Sequence, residues 1–229
     1  MNRMVRFALT GLSVGLGALA VAQPAVARAS DAMVSRTYPW TSGRLTVAVP
    51  AEVAFHPGPT WRMTITAPAG TLSHLIVDNG RITVESHGCF SLIPLCIGYG
   101  TGIRGKVHVA LTGPALRAIK VEGAARIRLD QLHQNQLAVQ IDGSGSVHGS
   151  GSVRDLVVRI DGAASIHLAG MTEQHARVLI NGTGRVAIAP TDSVSVDING
   201  AGDVRLHSDP PHVSSEIDGA GEVTRVPSA

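Results

Sequence analysis

INGAGDVRL, residues 198–206, has five counterparts elsewhere in the chain: VEGAARIRL at 121–129, IDGSGSVHG at 141–149, IDGAASIHL at 160–168, INGTGRVAI at 180–188 and IDGAGEVTR at 217–225. Their starting positions lie 20, 19, 20, 18 and 19 residues apart. A period this constant identifies each segment as one structural rung stacked on the last. Within a rung, alternating apolar residues such as Leu137, Val139 and Ile141, or Val194, Val196 and Ile198, run into an Asp-Gly or Asn-Gly pair, and a second alternating segment follows. Period-two alternation gives a strand with one inward face. Asn-Gly also closes β-hairpins, but a meander of hairpins has no reason to hold a period near 19 residues or to keep equivalent positions alike. The sequence predicts an all-β fold, a parallel β-helix (β-solenoid) of about 19 to 20 residues per rung.

Stacked rungs turn equivalent residues into columns, spaced on the order of 5 Å apart like neighbouring strands. The corner column holds Glu122, Asp142, Asp161, Asn181, Asn199 and Asp218, each followed by glycine, and Gly143, Gly162, Gly182, Gly200 and Gly219 continue it. A carboxylate ladder is one way to bind calcium, but calcium needs six or more oxygen ligands and two of these residues are neutral Asn. Asp and Asn before Gly are read instead as a structural turn ladder, since both tolerate left-handed backbone and bond their own turn. The glycines are positions of positive φ or of no room for a side chain. They are not a phosphate loop, which needs a helix N-terminus behind it.

A second column, Arg128, His148, His167, Ala187, Arg205 and Thr224, faces outward and makes His148 and His167 neighbours. Two imidazoles alone do not complete a transition-metal site, and they are read as surface residues. The pairs Asp197 with Glu216 and Asp203 with Glu222 fall on successive rungs, at a separation that suits a retaining glycosidase. They sit among Ser, Thr and Arg, the setting of a solvated face rather than a water-excluding cleft. No catalytic, cofactor or metal residue is assigned, and no nucleophile elbow G-x-S-x-G occurs.

At the N-terminus, Arg3 and Arg6 precede an apolar, acid-free stretch from Phe7 to Val21 and the small triplet Ala25-Val26-Ala27. This reads as a secretory signal peptide over residues 1–27, with a retained anchor as the alternative. No cysteine stands near the cleavage point to carry a lipid. Without Arg3 and Arg6 the 19 basic residues become 17 against 17 acidic ones. A neutral chain with scattered Lys and Arg excludes the electrostatic footprint of a nucleic-acid binder. Residues 28–229 are expected to form one domain: 28–115 a cap and the first strands, 116–229 the repeat rungs. An exported chain matures where disulfides persist, so Cys89 and Cys96 are expected to form a local bridge; a redox or metal pair is the competing reading.

Aromatic residues beyond the signal segment are few and early: Tyr38, Trp40, Phe55, Trp61, Phe90 and Tyr99. They either plug the open N-terminal end of the coil or present rings to a ligand, with Tyr38, Trp40 and Trp61 as the candidate platform. Pro210-Pro211 and Pro227 punctuate the last rungs.

The segment TDSVSVDINGAGDVRLHSDPPHVSSEIDGAGEV (191–223) resembles the closing part of the head GIN domain family of autotransporter-adhesin-like proteins. YGTGIRGKVHVALTGPALRAIKVEGAARIRL (99–129) is similar to that family's strand, Pro-Leu bend and first Gly-rich rung, and RLTVAVPAEVAFHPG (44–58) with LIVDNGRITVES (75–86) to its opening strands. The Cys89–Cys96 excursion looks like an insertion in that pattern. The resemblance implies a single-stranded right-handed β-helix exported across the inner membrane, with no known enzymatic activity and no functional residues to carry over. Three readings follow. An exported, non-catalytic, adhesin-like binding module of the periplasm or cell surface leads, its partner a glycan or envelope component, with no cofactor, no nucleic acid and no stable membrane insertion. A structural or stress-related scaffold is the alternative, and a carbohydrate-active β-helix enzyme the third.

Overall fold

The computed structural model describes residues 32–84 and 105–226. Residues 1–27, expected to be a signal peptide, and Cys89, Cys96, Phe90, Tyr99 and Pro227 lie outside the described residues. The architecture is a β-solenoid. Among the described residues the strands are β1 (Met33–Tyr38), β2 (Arg44–Val47), β3 (Ala51–Pro57), β4 (Arg62–Pro68), β5 (Leu75–Asp78), β6 (Arg81–Val84), β7 (Val107–Gly113), β8 (Ala118–Val121), β9 (Ala124–Ile141), β10 (Ser144–Ile160), β11 (Ala163–Ile180), β12 (Thr183–Ile198), β13 (Ala201–Leu206), β14 (His212–Ile217) and β15 (Ala220–Arg225). One short helix, α1 (Ala69–Leu72), follows β4.

The four long strands β9 to β12 each run from one Gly corner to the next and pair in parallel with the rungs on either side. The reason is the alternation carried by the sequence. One inward column stacks Val109, Val53, Ile127, Val147, Ile166, Val186, Val204 and Val223 on successive strands. On the other side of the corner, Ile82, Val47, Val121, Ile141, Ile160, Ile180, Ile198 and Ile217 stack in the same way. Every member is β-branched, which suits the pleated backbone. A fully buried Val or Ile contributes roughly 1.5 to 3 kcal/mol, so these two columns hold the rungs in register.

The corners explain the glycines. A Cβ placed on Gly162 would lie 2.0 Å from the carbonyl oxygen of Gly143, and one on Gly182 would lie 2.2 Å from that of Gly162. That same carbonyl accepts the next rung's backbone N–H, as from Ala163 to Gly143 and from Thr183 to Gly162, both at 2.9 Å. Lack of room, not left-handed backbone, is therefore the constraint at Gly143, Gly162, Gly182 and Gly200; of the ladder glycines only Gly219 has positive φ, at 147°.

The parallel stacking reaches back beyond residue 116. β2 and β3, joined by residues 48–50, form a rung of their own that pairs with β8 and β9 on one side. On its other side it pairs with β6 and β7. The chain thus builds its second rung first, lays β6 and β7 beneath it, then returns above it to begin the regular coil. Residues 85–106 fall between β6 and β7, where the later rungs turn in two residues. Antiparallel strands close this end: β5 against β6, β4 against β7, and β1 against β4. The opposite end finishes on β14 and β15, each paired on one side only.

Candidate functional site

Trp40 is wholly buried. Its ring meets Trp61 edge-on at 4.8 Å and Phe55 at 6.2 Å, and its Nε1 donates to the Arg44 carbonyl at 2.9 Å. Gly80 makes room for it: at φ 98° a Cβ there would lie 2.9 Å from Trp40 Nε1 and 2.2 Å from the Arg44 carbonyl oxygen. Trp40 is a core side chain and offers no ring face to a ligand, which corrects the expected platform at that residue. The apolar bulk of an indole favours the core of an antiparallel cap once its N–H finds an acceptor. Tyr38 and Trp61 are only half-buried and pack against the same core.

The corner column is a run of side-chain contacts. Lys120 Nζ lies 2.9 Å from Glu122 and 3.1 Å from Asp142, and these two bonds hold the ammonium above its usual pKa. Asn181 donates to Asp161 at 2.6 Å, and Asn199 donates to Asn181 at 3.4 Å and to Asp197 at 2.9 Å. Arg159 binds Asp161 at 2.8 Å, so the bonds from Arg159 and Asn181 hold that carboxyl below its ordinary range. Asp142, Asp161, Asn181, Asn199 and Asp218 with Gly143, Gly162, Gly182, Gly200 and Gly219 thus stand along one edge of the coil, in contact with their own neighbours. The Asp218 N–H continues the backbone series by donating to Ile198 at 2.7 Å. Among the described residues no group of three or more His, Cys, Asp or Glu is placed to hold a metal ion.

The register puts Asp197 beside Glu216 and Asp203 beside Glu222. Glu216 and Glu222 are exposed, and Asp203 is turned towards Arg205 at 3.5 Å. Neither pair shows the unequal environments that divide an acid from a base. His148 and His167 are neighbours, with ring centroids 4.7 Å apart and planes 11° from parallel. Burial first, then the charges of His167, Arg128 and Arg126, push the His148 imidazolium pKa down.

Two features went unread in the sequence. Glu173 occupies an inward position, paired with Val153 on one side and Pro190 on the other, and is completely buried. One carboxyl oxygen, Oε2, accepts the Ala189 N–H at 3.0 Å, while Oε1 has no hydrogen-bond partner among the described residues. Burial pushes its pKa up to about 8 against the pull of that N–H. A Glu two residues beyond inward Met171 was the signal. The second is a depression of about 320 Å³ on the outer face, floored by Ala54 and Ala110 and rimmed by Glu52, His108, Arg126, Arg128 and His148. Glu52 is gripped there by Lys106, Arg126 and His108 at 3.3, 3.2 and 3.3 Å, and its carboxyl is held below the usual range, chiefly by the bond from Lys106.

Residues 43–225 match a family profile described as "Putative auto-transporter adhesin, head GIN domain". Among solved structures, a "putative adhesin" from Bacteroides fragilis aligns with a TM-score of 0.58 at 12% identity, over 86% of this chain and 99% of that one. A "putative lipid binding protein" from Parabacteroides distasonis aligns with a TM-score of 0.44 at 15% identity, over 85% and 96%. A "putative adhesin" from the same species gives 0.39 at 15% identity, over 86% and 98%. At these identities the first likeness speaks for the fold alone. No curated protein matches the sequence. Among the described residues no helix is long and apolar enough to cross a membrane.

Proposed function

The chain belongs to the head GIN domain family, and on that footing we propose that it is an exported, non-catalytic, adhesin-like module that binds a glycan or another envelope component outside the inner membrane. One observation carries the reading: the coil separates scaffold from surface. The two inward columns that flank the corner are uniformly β-branched, whereas the outward positions of the same strands vary freely, as in Arg128, His148, His167, Ala187 and Arg205. A rigid frame that fixes the spacing of variable side chains suits recognition more than chemistry. Residues 1–27 direct export in this reading, and Cys89 with Cys96 form the local bridge. Tyr38 and Trp61 supply the ring surface at the capped end. The unpaired edges of β14 and β15 favour a second reading, a scaffold that assembles through its ends.

The test is to express the chain with its own N-terminal segment, recover the exported protein and challenge it with an array of bacterial and host glycans and peptidoglycan fragments. Saturable binding supports the module, and its loss in a Y38A/W61A variant assigns the site to the cap. A folded protein that binds nothing on the array refutes it.

A further inference from the structure

The two halves of each rung differ in charge. On the first half, facing outward, Arg126, Ser146, Ser165 and Arg185 stand in one row across β9 to β12, and Arg128, His148, His167 and Ala187 in the row beside it. These eight positions hold three arginines, two histidines and no acid. On β13 the second row continues with Arg205 and the first with Asp203, and these two pair at 3.5 Å, so the acid-free strip ends at β12. Across the corner, the outward rows of the same strands mix Asp155 and Asp197 with Arg159 and Arg177. Arg126, Arg128, His148, His167 and Arg185 are all exposed. Among the described residues neither Arg128 nor Arg185 has an acidic partner within salt-bridge distance.

We propose that this strip is a binding site for a linear acidic polysaccharide lying along the coil axis, its anionic groups on Arg128 and Arg185 and its leading unit in the depression floored by Ala54 and Ala110. The proposal rests on the binding-module reading above and names the ligand class. Spacing is the first argument. Rungs recur at about 4.8 Å, close to the advance of one hexopyranose unit in an extended chain, so a polymer of acidic sugars keeps step with the rungs and meets Arg128 and, three rungs on, Arg185. Chemistry is the second. The same face already holds a carboxylate, that of Glu52, between Lys106, His108 and Arg126, and the arginine fork is the side chain suited to planar anions. Ser146 and Ser165 place hydroxyls between the charges for sugar hydroxyls. No aromatic ring other than imidazole stands in the two rows, so nucleic-acid bases have no stacking platform there.

The stacked imidazoles couple binding to protons. His148 is faced by Arg126 and Arg128 on β9 and by His167 on β11, and it shares the depression with Glu52 and His108. Burial first, then the neighbouring charges, lower its pKa in the free protein. A polyanion laid across the row offsets them and favours the imidazolium, so the complex takes up protons and tightens as pH falls.

The experiment is calorimetric titration of the purified full chain with a galacturonic-acid tetramer, a heparin-type tetrasaccharide, a neutral galactose tetramer and a short single-stranded DNA. The expected result is saturable binding of an acidic tetramer, weakened at least tenfold by R128A/R185A and unchanged by R177A on the other side of the corner. It is also tighter at pH 5.5 than at pH 8 in the wild type, with that difference lost in H148Q/H167Q. The two acidic arms decide whether carboxylate or sulfate is the preferred anion. Binding of neutral glycans that ignores Arg128 and Arg185 overturns the strip while leaving the binding module standing. Equal loss in R177A, preference for the DNA, or no binding of either acidic tetramer also overturns the strip. Absence of every ligand on the earlier array removes both.

Discussion

Glu173 makes the folded protein's stability depend on pH in an uncommon direction. Its carboxyl is completely buried, and burial pushes its pKa up from the ordinary 4.5 to about 8. Between those values the unfolded chain carries Glu173 ionised while the folded chain keeps it protonated. The folded state therefore binds the extra proton, and stability falls as pH rises through this window. At about 1.36 kcal/mol per pKa unit, the displacement from 4.5 to about 8 amounts to about 5 kcal/mol lost between pH 4.5 and pH 8, and little changes above it. That is a large share of the roughly 5 to 15 kcal/mol that holds a typical domain folded. The assay is urea unfolding followed by far-ultraviolet circular dichroism and tryptophan fluorescence, from pH 4.5 to pH 9, in the wild type and in E173Q. Gln keeps an acceptor for the Ala189 N–H and cannot ionise. Glu52, Asp161 and His148 titrate alike in both proteins, so the difference between the two curves isolates position 173. E173Q is expected to match the wild type near pH 4.5, to exceed it by about 3 kcal/mol at pH 7, and to hold a constant advantage above pH 8. Parallel curves across the range would refute the reasoning, because they would mean that Glu173 ionises inside the fold without penalty.

The Gly corners predict that G162A destabilises by about 2 kcal/mol or more, since its Cβ would lie 2.0 Å from the Gly143 carbonyl oxygen and must open the rung spacing; urea midpoints for this variant against S165A, on the same rung's surface, check it. W40A empties the capped end of the core and is expected to cost about 3 to 5 kcal/mol, whereas W61A, truncating a half-buried ring, costs less; thermal unfolding ranks the two. In the last rung, Ser215 stands where its stacked partner is Val196, and Arg225 where it is Leu206. Replacing both with S215V/R225L is expected to leave the monomer folded but to drive concentration-dependent end-to-end association, read by sedimentation velocity, because the polar inward residues no longer blunt the open edges.

The repeating corners made the coil legible. Six segments at a period near 19 residues, alternating on both sides of an Asx-Gly pair in five of them and of Glu122-Gly123 in the first, leave few structures other than stacked rungs, and β9 to β12 run from corner to corner as that pattern requires. The beginning was harder to read for a physical reason. β2, residues 48–50 and β3 form a true rung, but Ala48-Val49-Pro50 replaces the Asx-Gly corner, and the excursion from Gly58 to Gly113 hides the adjacency of β3 and β9. Local pattern reports strands well. It does not report that the chain leaves a rung, builds the one beneath it and comes back.

The outer face shows the same division between what a column reveals and what it conceals. Aligning the repeats put His148 beside His167, and the rings do stack. The strip emerges only when the neighbouring row, Arg126 to Arg185, is set beside that column and compared with the face across the corner. Charge scattered along a sequence of formal net charge +2 becomes concentrated because the period returns residues 20, 19 and 20 positions apart to the same place. The solenoid thus converts a one-dimensional interval into a surface property: changing one outward residue per rung rewrites the face and leaves the inward Val and Ile columns untouched. This separation lets the outward residues change without loss of the fold, and it is why the ligand class proposed above rests on the charge pattern more than on the fold.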